Sequence, residues 1–580
     1  MTGGGVAVER DVEVPMRDGT SLRADVHRPR TGGDLPVLLH RTPYDKTFAQ
    51  TNVYQHPAWY AAHGYVVVAC DVRGRFASDG RFDPFRHEAA DGFDSIEWAA
   101  RLPGTTGRVG TYGFSYAGAT QLLAATEAPP ALACMAPAMT PDDFYDGWCY
   151  RGGAFQLAFV VSWCLEALAI PELLRRGERE AARRVAVELR RGAMTLIGDH
   201  PLQDHPLLRD AGVEWLFDWL EHDTRDPYWS DVGLLRRAGA IDVPCLHIGG
   251  WYDTFVEGTL RLHGALRERG RDPERQRLVV GPWLHVPWSR RVGIRDFGSE
   301  AANAIDELQL RWFDRWLKDA APATAEDPVK YFVMGEDAWR SAATWPPPEV
   351  EARTFYLHSS GRALSDSGDG RLRPDAPQDD GRPDVFVYLP GLPVPSAGGR
   401  SCCSAGSSPM GPACQCEVEG RNDVLVYTTA PFAEPTLLAG PAHLALFAAT
   451  DRVDTDWTAK LVHVDAEGKA INLCGGIVRA RFRESLEHPE PLTPGEVVRY
   501  RIDVGTTAML VRAGEALRLE VSSSEHPTYD ANVNTGAASL TADVFDALPA
   551  TQRVYHDVLR PSHLIVHVAA GQVRDAHQPA

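Results

Sequence analysis

The sequence predicts an α/β domain on a buried sheet, interrupted by a helical insertion and followed by an all-β sandwich. Three observations predict it. Short apolar runs rich in β-branched residues alternate with helical periodicity over the first third of the chain and return after residue 241. Between about 143 and 240 helical patterns dominate and no convincing strand interrupts them. After Trp345-Pro346-Pro347-Pro348, short alternating segments separated by Gly, Pro and Asp take over, which is the rhythm of a sandwich.

Taken in order, residues 12–14 and 22–27 flank Asp18-Gly19, a hairpin signal. Residues 36–40 and 65–70 (YVVVAC) are apolar without alternation, as strands buried on both faces are. Phe93, Ile96 and Ala100 recur at helical spacing until Pro103-Gly104 breaks the helix, and 107–112 resumes as a strand. The insertion reads as helices over 155–168, 171–195 and 215–220. Buried strands return at 243–249 and 278–280, and Ile305, Leu308, Trp312 and Trp316 make one face of a closing helix. The insertion therefore follows the fifth or sixth strand. Farther on, strands are predicted at 354–357, 424–428, 442–448, 460–464, 497–504, 517–521 and 564–568. Segments 366–384 and 396–412 are poor in apolar residues and read as surface loops. The units are 1–142 with 241–350, then 143–240, then 351–580.

Composition excludes some functions. The 580 residues carry 78 acidic and 59 basic side chains, a net charge of −19 that repels phosphate backbones and argues against nucleic acid. The most apolar stretches, 65–69 and 154–163, fall short of the ~20 residues a membrane span needs. The N-terminal MTGGGVAVERDVEV lacks the apolar core of a signal peptide, so a cytoplasmic location is expected.

The strongest local signal is Gly110-Thr-Tyr-Gly-Phe-Ser115-Tyr-Ala-Gly118, between a strand and a helix. A nucleophilic serine on a sharp strand-to-helix turn needs small neighbours, and Gly113 and Gly118 supply them, although the second glycine stands one residue later than usual. Alone, the match also fits a glycine-rich turn with an incidental serine. Context favours the nucleophile. Asp253 follows the buried run at 246–252 and His285 follows the run at 278–284, so Ser, Asp and His occur in the order and at the strand ends a hydrolase triad requires. Tyr44, after the early strand, could donate to an oxyanion beside the Tyr116 backbone N–H, or simply pack.

These residues resemble the cocaine esterase / X-prolyl dipeptidyl-peptidase family of serine hydrolases, which includes glutaryl cephalosporin acylases. The resemblance spans nearly the whole chain: TPYDK at 42–46, DVRGRFASDG at 71–80, GRVGTYGFSYAG at 107–118, GGWYDTF at 249–255, GPWLH at 281–285 and DVLVYTTAPF at 423–432. It implies an α/β-hydrolase core, a helical cap and a C-terminal jelly roll. It implies Ser115 as nucleophile, Asp253 and His285 as its partners, and Tyr44 with the Tyr116 amide as oxyanion hole. By position, Trp148, Trp163 and Phe255 resemble the aromatics of the esterase acyl pocket, and they are equally ordinary core residues. A dipeptidase would need a buried carboxylate for a free α-ammonium. Glu166 and Asp146 are the residues at hand, and their spacing singles out neither.

Four of the ten cysteines crowd into one loop: Cys402, Cys403, Cys414 and Cys416. Two close thiolate pairs could close a structural zinc site, and the alternatives are two disulfides or incidental thiols. No metal is expected in catalysis. The expected activity is cleavage of a small-molecule ester or amide through an acyl-serine. The competing readings are an X-prolyl dipeptidyl-peptidase and an inactive binding scaffold. A homodimer is the one further association allowed for.

Overall fold

Val66–Asp71 is buried along its whole length because it lies inside a sheet, where both faces of a strand meet apolar neighbours. The structure, a computed structural model, describes residues 5–30, 33–191, 201–234, 237–269, 275–320, 327–403, 406 and 409–569. Among these, the first sheet has ten strands: β1 (Val6–Pro15), β2 (Ser21–Pro29), β3 (Leu35–Thr42), β4 (Val66–Asp71), β5 (Thr105–Phe114), β6 (Leu132–Ala138), β7 (Cys245–Tyr252), β8 (Gln276–Leu284), β9 (Val329–Val333) and β10 (Ala338–Ala342). Their spatial order is β1-β2-β4-β3-β5-β6-β7-β8-β9-β10. From β4 to β9 every neighbouring pair is parallel, so the C-terminal ends of β5, β7 and β8 share one edge. The Asp18-Gly19 turn joins β1 to β2 as an antiparallel hairpin. Helices α1 (Pro57–Ala62), α2 (Glu88–Ala100) and α3 (Tyr116–Ala125) connect the early strands.

The helical insertion leaves the sheet after β6. It departs from the expectation in three places. A two-residue hairpin, Tyr150–Arg151 with Ala154–Phe155, opens it. The helix expected over 171–195 is instead two, Ile170–Arg175 and Arg179–Arg190, because Gly177 turns the chain with φ 81°; residues 192–195 lie outside the described residues. The first helix runs without a break from Leu157 to Arg175 and includes a π-helical stretch, Trp163–Ala169. At 19 residues and mean hydropathy 1.8 it is long and apolar enough to cross a membrane, which corrects the expectation that no segment approaches span length. In this fold most of it is buried, in the same apolar cluster as α3 and β4.

The C-terminal part is a β-sandwich. Three strands, Val498–Val511, Ala550–Tyr555 and His563–Ala569, all pair with the 15-residue strand Thr436–Thr450. The segment read as the loop 366–384 contains a short strand, Arg371–Arg373, that pairs with Leu425–Thr429; its central leucine points inward between two arginines. The sandwich shares a core with the first sheet: Trp251, Val280 and Tyr331 lie in one apolar cluster with Leu444 and Leu519.

Candidate active site

Strand β5 ends at Phe114, and the chain turns at Ser115 with φ 60° and ψ −126° before α3 starts at Tyr116. A non-glycine residue in that region is strained, so the surroundings must hold it. They do. The Ser115 N–H donates to Ala138 O at the end of β6 at 2.9 Å. The Gln50 side-chain amide pairs with both backbone groups of Phe114, at 2.9 and 3.0 Å. Gly118 is required where α3 crosses the end of β6: a Cβ there would lie 2.9 Å from Ala138 O and 2.8 Å from Thr140 Cβ. That crossing explains the displaced glycine of the motif. Although Ser115 occupies the N-cap position, its side chain makes no cap hydrogen bond. The Tyr116 N–H, first in the helix, has no intrahelical acceptor.

His285 and Asp253 come from the adjacent strands β8 and β7, respectively, each just past the strand's last residue. Their side chains are 2% and 0% exposed, and His285 Nδ1 lies 2.7 Å from Asp253 Oδ1. A carboxylate only accepts, so Nδ1 carries the proton and donates it to Asp253, leaving Nε2 as the basic nitrogen. The imidazole sits beside the Phe114 ring, with centroids 5.4 Å apart, next to the serine elbow. Trp288 Nε1 donates to the His285 carbonyl at 2.9 Å and fixes the loop.

Tyr44 is half-buried, and its Oη accepts a hydrogen bond from Trp163 Nε1 at 2.8 Å. Burial pushes its phenol up to about 12, with the bond from Trp163 pulling the other way. The Tyr116 side chain turns away: its hydroxyl donates to Glu88 Oε1 at 2.9 Å and accepts from the Phe85 N–H. Only its backbone amide is left for the site.

The three aromatics named from sequence lie together. Trp148 stacks on Phe255 at 4.9 Å and meets Trp163 edge-on at 4.9 Å, and Phe255 abuts His285 at 5.3 Å. Sequence reading missed Phe159, which touches both Trp148 and Phe255. It precedes Trp163 by one helical turn, and that spacing could have found it. Glu166 is exposed, whereas Asp146 accepts the Gly152 N–H at 2.9 Å. Neither stands free inside the aromatic wall.

The cysteine loop differs most from expectation. Segment 396–412 is no plain surface loop: Ser401 and Cys402 are buried, Ser401 forms a parallel β-bridge with Asp253, and Arg400 donates to Trp251 O and Glu257 at 2.9 and 2.6 Å. Of the readings left open for the four cysteines, the structure shows the two disulfides rather than the four-thiolate zinc site. Cys402 is disulfide-bonded to Cys403 and Cys414 to Cys416, and a sulfur in a disulfide is no thiolate ligand. Among the described residues no three His, Cys, Asp or Glu side chains cluster as metal ligands. Denatured without reductant, the protein is expected to titrate six thiols, those of Cys70, Cys134, Cys149, Cys164, Cys245 and Cys474. Ten would mean that both pairs are open.

Comparison with known proteins gives the family. Residues 18–287 match the X-Pro dipeptidyl-peptidase (S15 family), and residues 322–565 match the X-Pro dipeptidyl-peptidase C-terminal non-catalytic domain. The cocaine esterase of Rhodococcus sp. (strain MB1 Bresler) is 36% identical over 98% of this chain and 100% of its own. A crystal structure of an aminopeptidase from a marine sediment Thaumarchaeota archaeon superposes with a TM-score of 0.80 at 25% identity, over 98% of this chain and 97% of that one. An α-amino-acid ester hydrolase does so at 0.79 and 24% identity, over the same shares, and shows the shared fold. The chain therefore belongs to the X-Pro dipeptidyl-peptidase S15 family of serine hydrolases, which work without a cofactor.

Proposed function

We propose that the protein is a carboxylesterase that cleaves small-molecule esters through an acyl-Ser115 intermediate. The observation that carries this is the buried His285–Asp253 pair, with Nε2 left basic, at the sheet edge where the strained elbow presents an uncapped serine. Neutral His285 takes the Ser115 proton as Oγ attacks the carbonyl, and Asp253 stabilises the imidazolium that forms. Negative charge then gathers on the carbonyl oxygen, between the Tyr116 N–H and the Tyr44 hydroxyl. The imidazolium protonates the leaving alcohol, and water repeats the sequence to free the acid. Trp148, Trp163 and Phe255 receive the acyl group, which should be apolar and uncharged. An ester is favoured over an X-Pro peptide because, among the described residues, neither Glu166 nor Asp146 stands free among these aromatics to hold an α-ammonium, and because a relative 36% identical over its full length is named an esterase. The working units are the hydrolase core (1–142 with 241–350), the cap (143–240), which carries most of the aromatic wall, and a jelly-roll domain (351–580).

A hydrolysis screen over aryl esters, acyl amides and X-Pro anilides tests the reading, with aryl esters expected to turn over fastest. Preference for X-Pro anilides would instead support the peptidase, and no turnover or labelling by a fluorophosphonate would support the inactive scaffold. Tyr44→Phe is expected to lower kcat about 10²–10³-fold with little change in KM, since the phenol bonds an oxyanion present only along the reaction path. Equal kcat in the two proteins would remove this role. Because burial raises the phenol to about 12, Tyr44 keeps its proton up to about pH 10, and kcat should not fall there through its ionisation. A wild-type alkaline loss that disappears in Tyr44→Phe would contradict that. A cytoplasmic address belongs to the proposal, and cell fractionation tests it: recovery in the cytosolic fraction is expected, and recovery outside it would overturn the address. The homodimer is also proposed. The open edge strand Asp384–Tyr388, with Val385 and Val387 facing solvent, could pair with a second copy, which light scattering would read.

A further inference from the structure

The Tyr44 hydroxyl can serve an oxyanion only if two separate chain segments hold still: the loop after β3, which carries Tyr44, and the cap helix, which carries Trp163. One side chain touches both. Arg75 is buried, and its Nε donates to Pro43 O at 2.9 Å, the carbonyl immediately before Tyr44. Its Nη2 donates to Leu168 O at 3.2 Å, in the same π-helical stretch as Trp163. The circuit closes through the bond from Trp163 Nε1 to Tyr44 Oη. The guanidinium also lies over the rings of Phe76 and Phe82, at 5.2 Å from each, which restricts it from the sides.

This is a costly way to use a buried cation. No ion pair with Arg75 occurs among the described residues, and Glu172, whose charge it feels, is held by Arg175 and Arg176 at 2.6 and 2.8 Å. Burial lowers its pKa to about 10, which still leaves it charged at neutral pH. Arginines buried to support a fold usually pair with a carboxylate, as Arg41 does with Glu88 here. Arg75 spends its donors on two main-chain carbonyls instead, and a planar fork fixes their relative position in a way that a single ammonium cannot.

We propose that Arg75 is a positioning residue for the oxyanion hole: by clamping the Pro43 and Leu168 carbonyls it sets the Tyr44 hydroxyl against the cap. It touches no substrate and acts through Tyr44. The proposal rests on the esterase reading above, in which Tyr44 is an oxyanion donor.

The test is a double-mutant cycle in kcat on an aryl ester, using full-length protein normalised to its folded fraction. R75M should lower kcat about 10–100-fold with KM changed less than about threefold, because the loss falls on the transition state. In the Y44F background the same substitution should lower kcat less than about threefold, since the donor it positions is already gone. If R75M does not fold, R75K carries the comparison. It keeps the charge but reaches only one carbonyl, and about a tenfold loss is expected in the wild-type background and none in Y44F. Wild-type kcat in R75M, or an equal loss in both backgrounds, would overturn the positioning role while leaving the esterase reading intact. Wild-type kcat in Y44F alone would remove the oxyanion reading, and the positioning role with it.

Discussion

Replacing Ser115 by alanine is expected to lower kcat about 10⁴-fold or more and to leave the fold intact. The two halves of this expectation have separate causes. Activity falls because Oγ is the atom that bonds to the acyl carbon, and the remaining oxyanion donors recover only the residual rate they supply without it. The fold persists because Oγ caps no helix N–H, and the turn is held by the Ala138 carbonyl and the Gln50 amide. Alanine would also occupy the same strained φ of 60° at no greater cost than serine. Circular dichroism and thermal melting should therefore overlay the wild-type curves. Near-wild-type turnover in Ser115→Ala would bring down the whole assignment.

The second large effect is expected at Asp253. Asp253→Asn should lower kcat about 10³–10⁴-fold although it removes only one charge and almost no volume. The carboxylate accepts from Nδ1 at 2.7 Å and so keeps the other ring nitrogen free to take the serine proton. An asparagine can present its NH₂ instead, which turns Nδ1 into the acceptor and places the ring proton on Nε2. The base is then already protonated where it must act. The imidazolium of the transition state also loses its buried counter-charge. If the loss comes from this mechanism, KM should move far less than kcat. A parallel rise in KM with kcat unchanged would indicate a binding role for Asp253.

The placement of Ser115, Asp253 and His285 was readable in sequence because each follows a run whose burial announces a strand end: Gly107–Tyr112 before Ser115, and the runs before Asp253 and His285. In a parallel sheet those ends share one edge, so order along the chain becomes proximity in space. Trp148 and Trp163 were less readable. They are joined across a two-residue hairpin and a π-helical stretch, and neither has a sequence period. The strand Arg371–Arg373 was hidden by its composition, one inward leucine between two charges. The cysteine loop was legible only as a set of alternatives, of which the structure shows the two disulfides. Its spacing admits zinc, yet adjacent sulfurs can also join each other, and what the loop contributes comes from Ser401 and Arg400, which pack it against Asp253 and Glu257. Arg75 stood in a quoted motif, but no pattern of residue types reveals that one guanidinium bridges two carbonyls 125 residues apart in the chain.

The central claim, an acyl enzyme on Ser115, is tested most directly by trapping that species. A slowly deacylating aryl ester, quenched in acid after a few turnovers and analysed by intact mass and peptide mapping, should show one acyl group per chain. The adduct should sit on the peptide containing Gly113-Phe114-Ser115-Tyr116 and be absent from Ser115→Ala. Turnover with no adduct, or with the acyl group on another residue in the wild-type protein, would contradict the account.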